Sequence, residues 1–165
     1  MASTTISLIH MSQLEKTKVA YAAITPGMLL AYDSTAGKVK AHATATGNAV
    51  PRMFALENEW EGENIDTAYA ANDQVRVGYF GPGDEVLGIL ADGQTVVIGD
   101  PLESNGAGFL QKHVPDVTDS DGGTTVYTEA VVAVALEAKD LSGSSGAEES
   151  SDTVGYNKRI KIEIV

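Results

Sequence analysis

Carboxylates are the side chains best supplied for chemistry in this sequence, and five of them crowd one stretch. Glu57, Glu59, Glu61, Glu63 and Asp66 fall within ten consecutive residues. Two carboxylates can hydrolyse a glycosidic bond when they flank the sugar from opposite sides, one as acid and the other as base or nucleophile. Here they alternate with Asn58, Trp60, Gly62 and Asn64 on one polar segment, which reads as a solvated loop whose charges repel one another. Trp60, the only Trp in the chain, sits in its middle. A lone Trp in such a loop is either a plug over the end of a barrel or an anchor at an interface.

Nucleophilic catalysis needs a Ser, Thr or Cys beside a base. The three histidines, His10, His42 and His113, lie in no Gly-x-Ser-x-Gly or related signature, and each reads as a surface or internally satisfied residue. They are too far apart to pair as metal ligands, and Cys is absent. The turn Asp119-Ser-Asp-Gly-Gly123 invites a calcium reading. Placing Gly122 at the sixth position of an EF-hand loop puts Val117 first and Thr128 twelfth, where oxygen ligands are required, so it reads as a plain turn. No glycine pattern matches a phosphate cradle, since Gly106-Ala-Gly108 lacks both a third glycine and a following helix. No catalytic, cofactor-binding or metal-binding residues are therefore expected, and an enzyme is not expected.

Composition narrows the partners. The 165 residues carry 11 Lys+Arg against 23 Asp+Glu, a formal charge of −12. That balance opposes nucleic acid or an anionic membrane as main partner, because both require a cationic surplus. Without Cys there are no disulfides. The first eleven residues have no Lys or Arg, and Ser7 and His10 interrupt their apolar run, so a secretory leader is not expected. No window resembles a membrane-spanning helix. The length fits one domain with a real core.

The elements that must carry these residues read as short strands. Residues 1–18, rich in Ser, Thr and Gln, read as an extended N-terminal arm, with at most one turn of helix near Gln13–Lys18. Residues 19–165 read as a single β-rich domain. Pro26-Gly27 opens an apolar strand at Met28–Tyr32, and Asp33–Gly37 turns it into a returning strand at Lys38–His42. Arg52–Glu57 is a further strand. Gln74–Phe80 alternates Val75, Val77 and Tyr79 against Gln74, Arg76 and Gly78, which is the period of two of a half-buried strand. Turns at Gly81–Asp84, Asp92-Gly93, Gly99–Pro101 and Asn105–Gly108 then separate short strands. Val126–Ala138 reads as a central strand. The final run Lys158–Val165 sends Ile160, Ile162 and Ile164 to one face. Polar loops are expected at about 114–128 and 140–155. Such spacing marks a small barrel or sandwich of antiparallel strands.

Within this pattern, the run Ala70-Ala-Asn-Asp-Gln-Val-Arg-Val-Gly-Tyr-Phe-Gly-Pro-Gly-Asp-Glu-Val86, followed by Leu90-Ala-Asp-Gly-Gln-Thr-Val-Val-Ile-Gly-Asp-Pro-Leu-Glu-Ser-Asn-Gly-Ala-Gly-Phe-Leu110, resembles the head decoration (cement) proteins of tailed bacteriophages. A looser likeness extends to Thr25–Ala41, Val131–Glu137 and Ile160–Ile164. The resemblance implies a mainly β, β-tulip-type domain with an extended N-terminal arm. It implies a structural virion protein, made in the host cytoplasm, that joins the outer surface of an expanded icosahedral capsid. There it would clamp neighbouring major capsid subunits as homotrimers at three-fold or quasi-three-fold positions. The arm residues Ser3, Thr4, Thr5, Ile6, Leu8 and Ile9 would add to a sheet edge of the capsid protein, with Trp60 as a further interface anchor. The alternative is a β-barrel module on a phage or bacterial particle that binds a glycan or small ligand through Trp60 and the carboxylate loop.

Overall fold

The structure, a computed structural model, describes residues 5–9, 14–113, 117–118, 124–125, 130–143 and 158–165. Its strands in chain order are β1 (Ser7–Ile9), β2 (Leu14–Ala20), β3 (Leu29–Tyr32), β4 (Lys38–Ala41), β5 (Met53–Ala55), β6 (Gln74–Tyr79), β7 (Glu85–Ile89) and β8 (Thr95–Val96). There follow β9 (Pro101–Ser104), β10 (Leu110–Lys112), β11 (Val117–Thr118), β12 (Thr124–Thr125), β13 (Val131–Ala135), β14 (Lys139–Asp140) and β15 (Arg159–Ile164). The one helical element among the described residues is a 3-10 turn at Glu59–Glu61, and no helix is long and apolar enough to cross a membrane. The chain is mainly β, as its turn spacing implies.

Strands β2, β4, β3, β5 and β6 close in that order into a small barrel. β2 runs antiparallel to β6, from Leu14 opposite Tyr79 to Val19 opposite Gln74, and parallel to β4. Leu30, Val39, Met53, Ala55, Val75 and Val77 fill the interior. Strands β3 and β5 bury their other face as well. Leu29 and Phe54, with Leu56 just beyond β5, belong to a second core shared with the neighbouring sheet, where Phe54 meets Phe80 edge to face at 5.8 Å. A strand buried on both sides has no use for polar alternation, which is why Met28–Ala31 and Met53–Leu56 are unbroken apolar runs. Next to β5, β6 keeps Val75 and Val77 inside and sends Arg76 outward.

The second layer is a six-stranded antiparallel sheet in the order β1-β7-β15-β13-β9-β10. Ile160, Ile162 and Ile164 of β15 are all buried in the shared core, while Lys161 between them is exposed. Two buried cations hold the chain as it enters β15, and the second of them, Arg159, ties the layers together. Lys158 is fully buried and pairs through Nζ with Asp92. Arg159, also buried, donates from Nη1 to the Pro26 carbonyl and from Nη2 to the Ile65 carbonyl, two loops of the barrel layer. Gly27, at φ +94°, makes room for this guanidinium. A Cβ there would overlap Arg159 and sit 3.0 Å from the Leu87 carbonyl oxygen.

Two elements differ from expectation. Residues 14–18, read from sequence as the end of the arm with a possible helical turn, are the first part of barrel strand β2. Its inward positions include Lys16 and Lys18, which disguise the pattern. At the barrel mouth Lys16 Nζ stacks 5.3 Å from the Tyr79 ring centroid and Lys18 Nζ 5.7 Å from that of Tyr32. Aliphatic stems can line apolar surface while the ammonium stays wet. The 114–128 loop also contains a short ladder, Val117–Thr118 against Thr124–Thr125. The Asp119–Gly123 turn, most of the 140–155 loop and Val126–Glu129 lie outside the described residues.

Gly27 and Gly37 (φ +81°) separate two costs, because a Cβ at Gly37 meets nothing within 4 Å. Gly37→Ala should lose about 1 kcal/mol from backbone strain alone, and Gly27→Ala about 3 kcal/mol, measured by urea unfolding. Equal losses would show that Arg159 does not need the space. Stability should also fall in alkali. Burial pushes the Tyr69 phenol, which donates to the Leu56 carbonyl at 2.8 Å, up to about 12. Burial and the Tyr32 hydroxyl do the same for Tyr79. Folding favours both neutral phenols, so their contribution is complete below the ordinary value of 10 and is lost as pH rises towards about 12. Tyr69→Phe should flatten that fall, and an unchanged slope would contradict it.

Candidate functional site

The outer wall of β2 and β6 carries the densest set of charged contacts among the described residues, centred on Arg76. Register places Arg76 opposite Thr17 of β2, with Glu15 one step along the same face. Arg76 Nη2 pairs with Glu15 Oε2 at 2.9 Å and Nη1 with Glu59 Oε2 at 3.1 Å. Nη1 also donates to the Glu57 carbonyl at 3.0 Å, and the guanidinium carbon lies 5.1 Å from the centroid of the Trp60 ring. Burial by itself would lower the Arg76 pKa, but hydrogen bonds and charge from Glu15 and Glu59 outweigh it and raise it. One cation thus gathers two strands, the acidic loop and the indole.

The five carboxylates of the loop are not equivalent. Glu57 is buried, and its Oε2 accepts the Ile6 backbone N–H at 3.1 Å. Glu59 is held by Arg76. Glu61 accepts from the Asn58 amide at 2.6 Å, and Asp66 Oδ1 lies 3.9 Å from Arg159. Gly62, at φ +75°, ends the 3-10 turn with its N–H on the Glu59 carbonyl. Mutual repulsion in water is therefore not the whole description of this segment, because cations and donors elsewhere in the chain take up its charge. Trp60 does not plug the barrel. It lies outside, 71% exposed, with Arg76 beside it.

The N-terminal residues meet the same site. Ser3 and Thr4 lie outside the described residues. Ile6 is fully buried in the shared core, its carbonyl accepting from Leu87 N–H at 2.8 Å. Leu8 packs half-buried against that core, and Ile9 is 53% exposed. Ser7 and Ile9 pair with Val86 and Glu85 of β7, so residues 5–9 of the expected arm lie along the chain's own sheet. Thr5 and Ser7 share a polar cavity of about 170 Å³ with Glu15, Glu57, Glu59 and Arg76. The structure thus brings Thr5 to the acidic loop, but leaves Trp60 on the far side of Arg76. The residue that sequence reasoning missed is Arg76. Its available signal was a lone cation at an outward strand position, flanked by two inward valines.

The two histidines among the described residues serve the framework, and His10 lies outside them. His42 is buried, with Nε2 donating to the Asn48 carbonyl at 3.1 Å and Nδ1 2.8 Å from Ser104 Oγ. This Ser–His contact is sealed, since Ser104 is fully buried and its Oγ also accepts the Gly106 N–H. His113 Nδ1 meets the buried Glu103 carboxylate at 2.6 Å, whose other oxygen accepts from Gln111. Among the described residues, no group of three His, Asp or Glu side chains is placed to hold a metal ion.

If Arg76 organises this wall, Arg76→Met should cost about 1–3 kcal/mol in urea unfolding and make Trp60 emission easier to quench with acrylamide. Arg76→Lys should recover less than half, because an ammonium cannot reproduce the two-armed contact to Glu15 and Glu59. Full recovery by Lys would show that charge alone suffices.

Comparison with known proteins places the fold. No family model matches the chain, and no curated protein matches it. Among solved structures, the chain is similar to the N base of head fiber gp8.5 of bacteriophage phi29, with a TM-score of 0.53 and 14% sequence identity. The match covers 93% of this chain and 95% of that one. At that identity the likeness is one of fold, and it runs nearly end to end in both chains.

Proposed function

We propose that this chain is a structural protein of a phage virion, bound to the outside of the head. The observation that carries this reading is the nearly full-length fold shared with the head fiber base of phi29. The stiffness of the molecule supports it, with a barrel and a six-stranded sheet joined through a common core. So does the use of His42 and His113, which hold backbone and buried side chains of the framework. A net charge of −12 keeps such a protein from competing for packaged DNA. In this reading the chain stabilises the expanded shell by contacting neighbouring major capsid subunits, as a trimer at three-fold or quasi-three-fold positions. Many copies on one shell need only modest affinity each.

The N-terminal segment contributes differently from a free arm. Because Thr5–Ile9 lie on the chain's own β7, the element offered to the capsid is the outer edge of β1. Among the described residues, no strand pairs with that edge. An edge of this kind can accept a strand from a partner through backbone hydrogen bonds, with the exposed Ile9 beside it.

Purified chain should cosediment with expanded phage heads that lack it. Ile9→Lys, a substitution at an exposed position, should keep the urea midpoint while weakening head binding about tenfold, as charged edges block strand addition. Undiminished binding by Ile9→Lys would overturn the β1 route. Absence of wild-type chain from the head pellet would overturn the virion role itself.

A further inference from the structure

Trp60 is the most exposed large apolar side chain among the described residues, at 71%. It borders two depressions. On one side lie Arg76, Glu15, Lys16 and Thr17. On the other, a groove of about 500 Å³ is lined by Trp60 with Asn58, Glu61, Asn72, Asp73 and Gln74. That volume falls within the roughly 300–1,000 Å³ typical of small-molecule sites. We infer that this groove is a binding site for a neutral pyranose sugar, with Trp60 as its stacking platform.

Three features carry the inference. First, the platform is preorganised. Arg76 lies against the indole and is itself held by Glu15 and Glu59, so Trp60 does not need ordering when a ligand arrives. The electron-rich face of an indole suits the C–H face of a pyranose, whose hydrogens carry partial positive charge. Second, the opposite wall is a rigid rack of planar polar groups. Asn72 sits at φ +73°, a left-handed conformation that Asn tolerates. Its N–H donates to the Ala20 carbonyl at 2.9 Å, and the Ala20 N–H donates to the Asp73 carbonyl at 2.9 Å. Asn72 Oδ1 takes Lys38 Nζ and Asp73 Oδ2 takes the Ala70 N–H. Among the described residues this leaves Asn72 Nδ2, Asp73 Oδ1 and the Gln74 amide available, a mix of donors and acceptors that matches adjacent sugar hydroxyls. Third, the electrostatics select charge. Two carboxylates, Glu61 and Asp73, border the groove against the Lys38 ammonium on Asn72 Oδ1, in a chain of net charge −12, and this negative balance disfavours uronic, sialic or phosphorylated sugars and leaves neutral hexoses and N-acetylhexosamines.

The wall tolerates surgery. Asn72→Gly keeps the left-handed backbone while removing the amide, and Gln74 is exposed. As the only Trp, Trp60 also reports on its own site. Full-length chain titrated with the methyl glycosides of glucose, galactose, mannose, N-acetylglucosamine and N-acetylgalactosamine should show a saturable change in Trp60 emission with at least one of them. Millimolar dissociation constants are expected for single rings. Methyl glucuronide should bind about tenfold more weakly than the best neutral glycoside. Asn72→Gly with Gln74→Ala should weaken that glycoside about tenfold at an unchanged urea midpoint. Trp60→Ala should abolish saturation-transfer NMR signals from its ring protons. A linear, unsaturable response to all five neutral glycosides would overturn the proposal. So would undiminished binding by the double variant, or preference for the glucuronide.

Discussion

One wall of the barrel is buried twice, and the arrangement of everything else follows from it. Met53 points into the barrel while Phe54, its neighbour, points into the core beneath the six-stranded sheet. Leu30 and Leu29 divide in the same way on β3. Two short strands therefore serve as the partition between two hydrophobic cores, and neither layer can move without opening both. Truncating a fully buried Phe in such a place costs about 3–5 kcal/mol, a large share of the stability of a domain this size. The Arg159 guanidinium adds a polar tie across the same boundary, reaching from β15 to the Pro26 and Ile65 carbonyls. The result is a two-layer body whose layers are joined at the partition by shared packing and a buried polar tie.

The double burial on one side decides what is available on the other. With β5 and the start of β3 occupied inside and out, the solvent-facing barrel wall is left to β2, β4 and β6. There the alternation of β6 delivers Arg76 to the surface, and the acidic loop folds over it. Glu57 turns inward to receive the Ile6 N–H, Glu59 and Glu15 neutralise Arg76, and Trp60 is carried outside on the guanidinium. A run of carboxylates that looks self-repelling in one dimension becomes a set of separate contacts in three. The exposed indole is then presented from a rigid support, a property useful for stacking on a sugar. The edge of β1 is the other surface that the fold leaves open.

Much of this was legible in the residues. Period-two alternation in Gln74–Tyr79 and in Arg159–Ile164, and the turns at Asp33–Gly37 and Gly81–Asp84, located strands and hairpins because local chemistry dictates them. The apolar runs in Met28–Tyr32 and Arg52–Glu57 identified strands, but not that they faced two cores. What escaped is non-local. Leu14–Lys18 hid a barrel strand, because Lys16 and Lys18 occupy inward positions at the mouth, where Tyr79 and Tyr32 accommodate them. The parallel pairing of β2 with β4 has no signature in either segment. Arg76 meets Glu15 across 61 residues of chain, and Ile6 meets Glu57 across 51, and no local pattern predicts such partners. The same holds for Thr5–Ile9, whose docking on β7 depends on a core vacancy that only the assembled sheet creates.

The proposed place of this acidic, β-rich chain on a virion shell rests on the fold it shares with a phage head fiber base. The most direct measurement is a cryo-electron reconstruction of expanded phage heads incubated with the chain. A virion structural role predicts added density outside the shell that fits the barrel and the six-stranded sheet as one rigid body, repeated at three-fold or quasi-three-fold positions. A shell whose outer surface stays bare under saturating protein would contradict it.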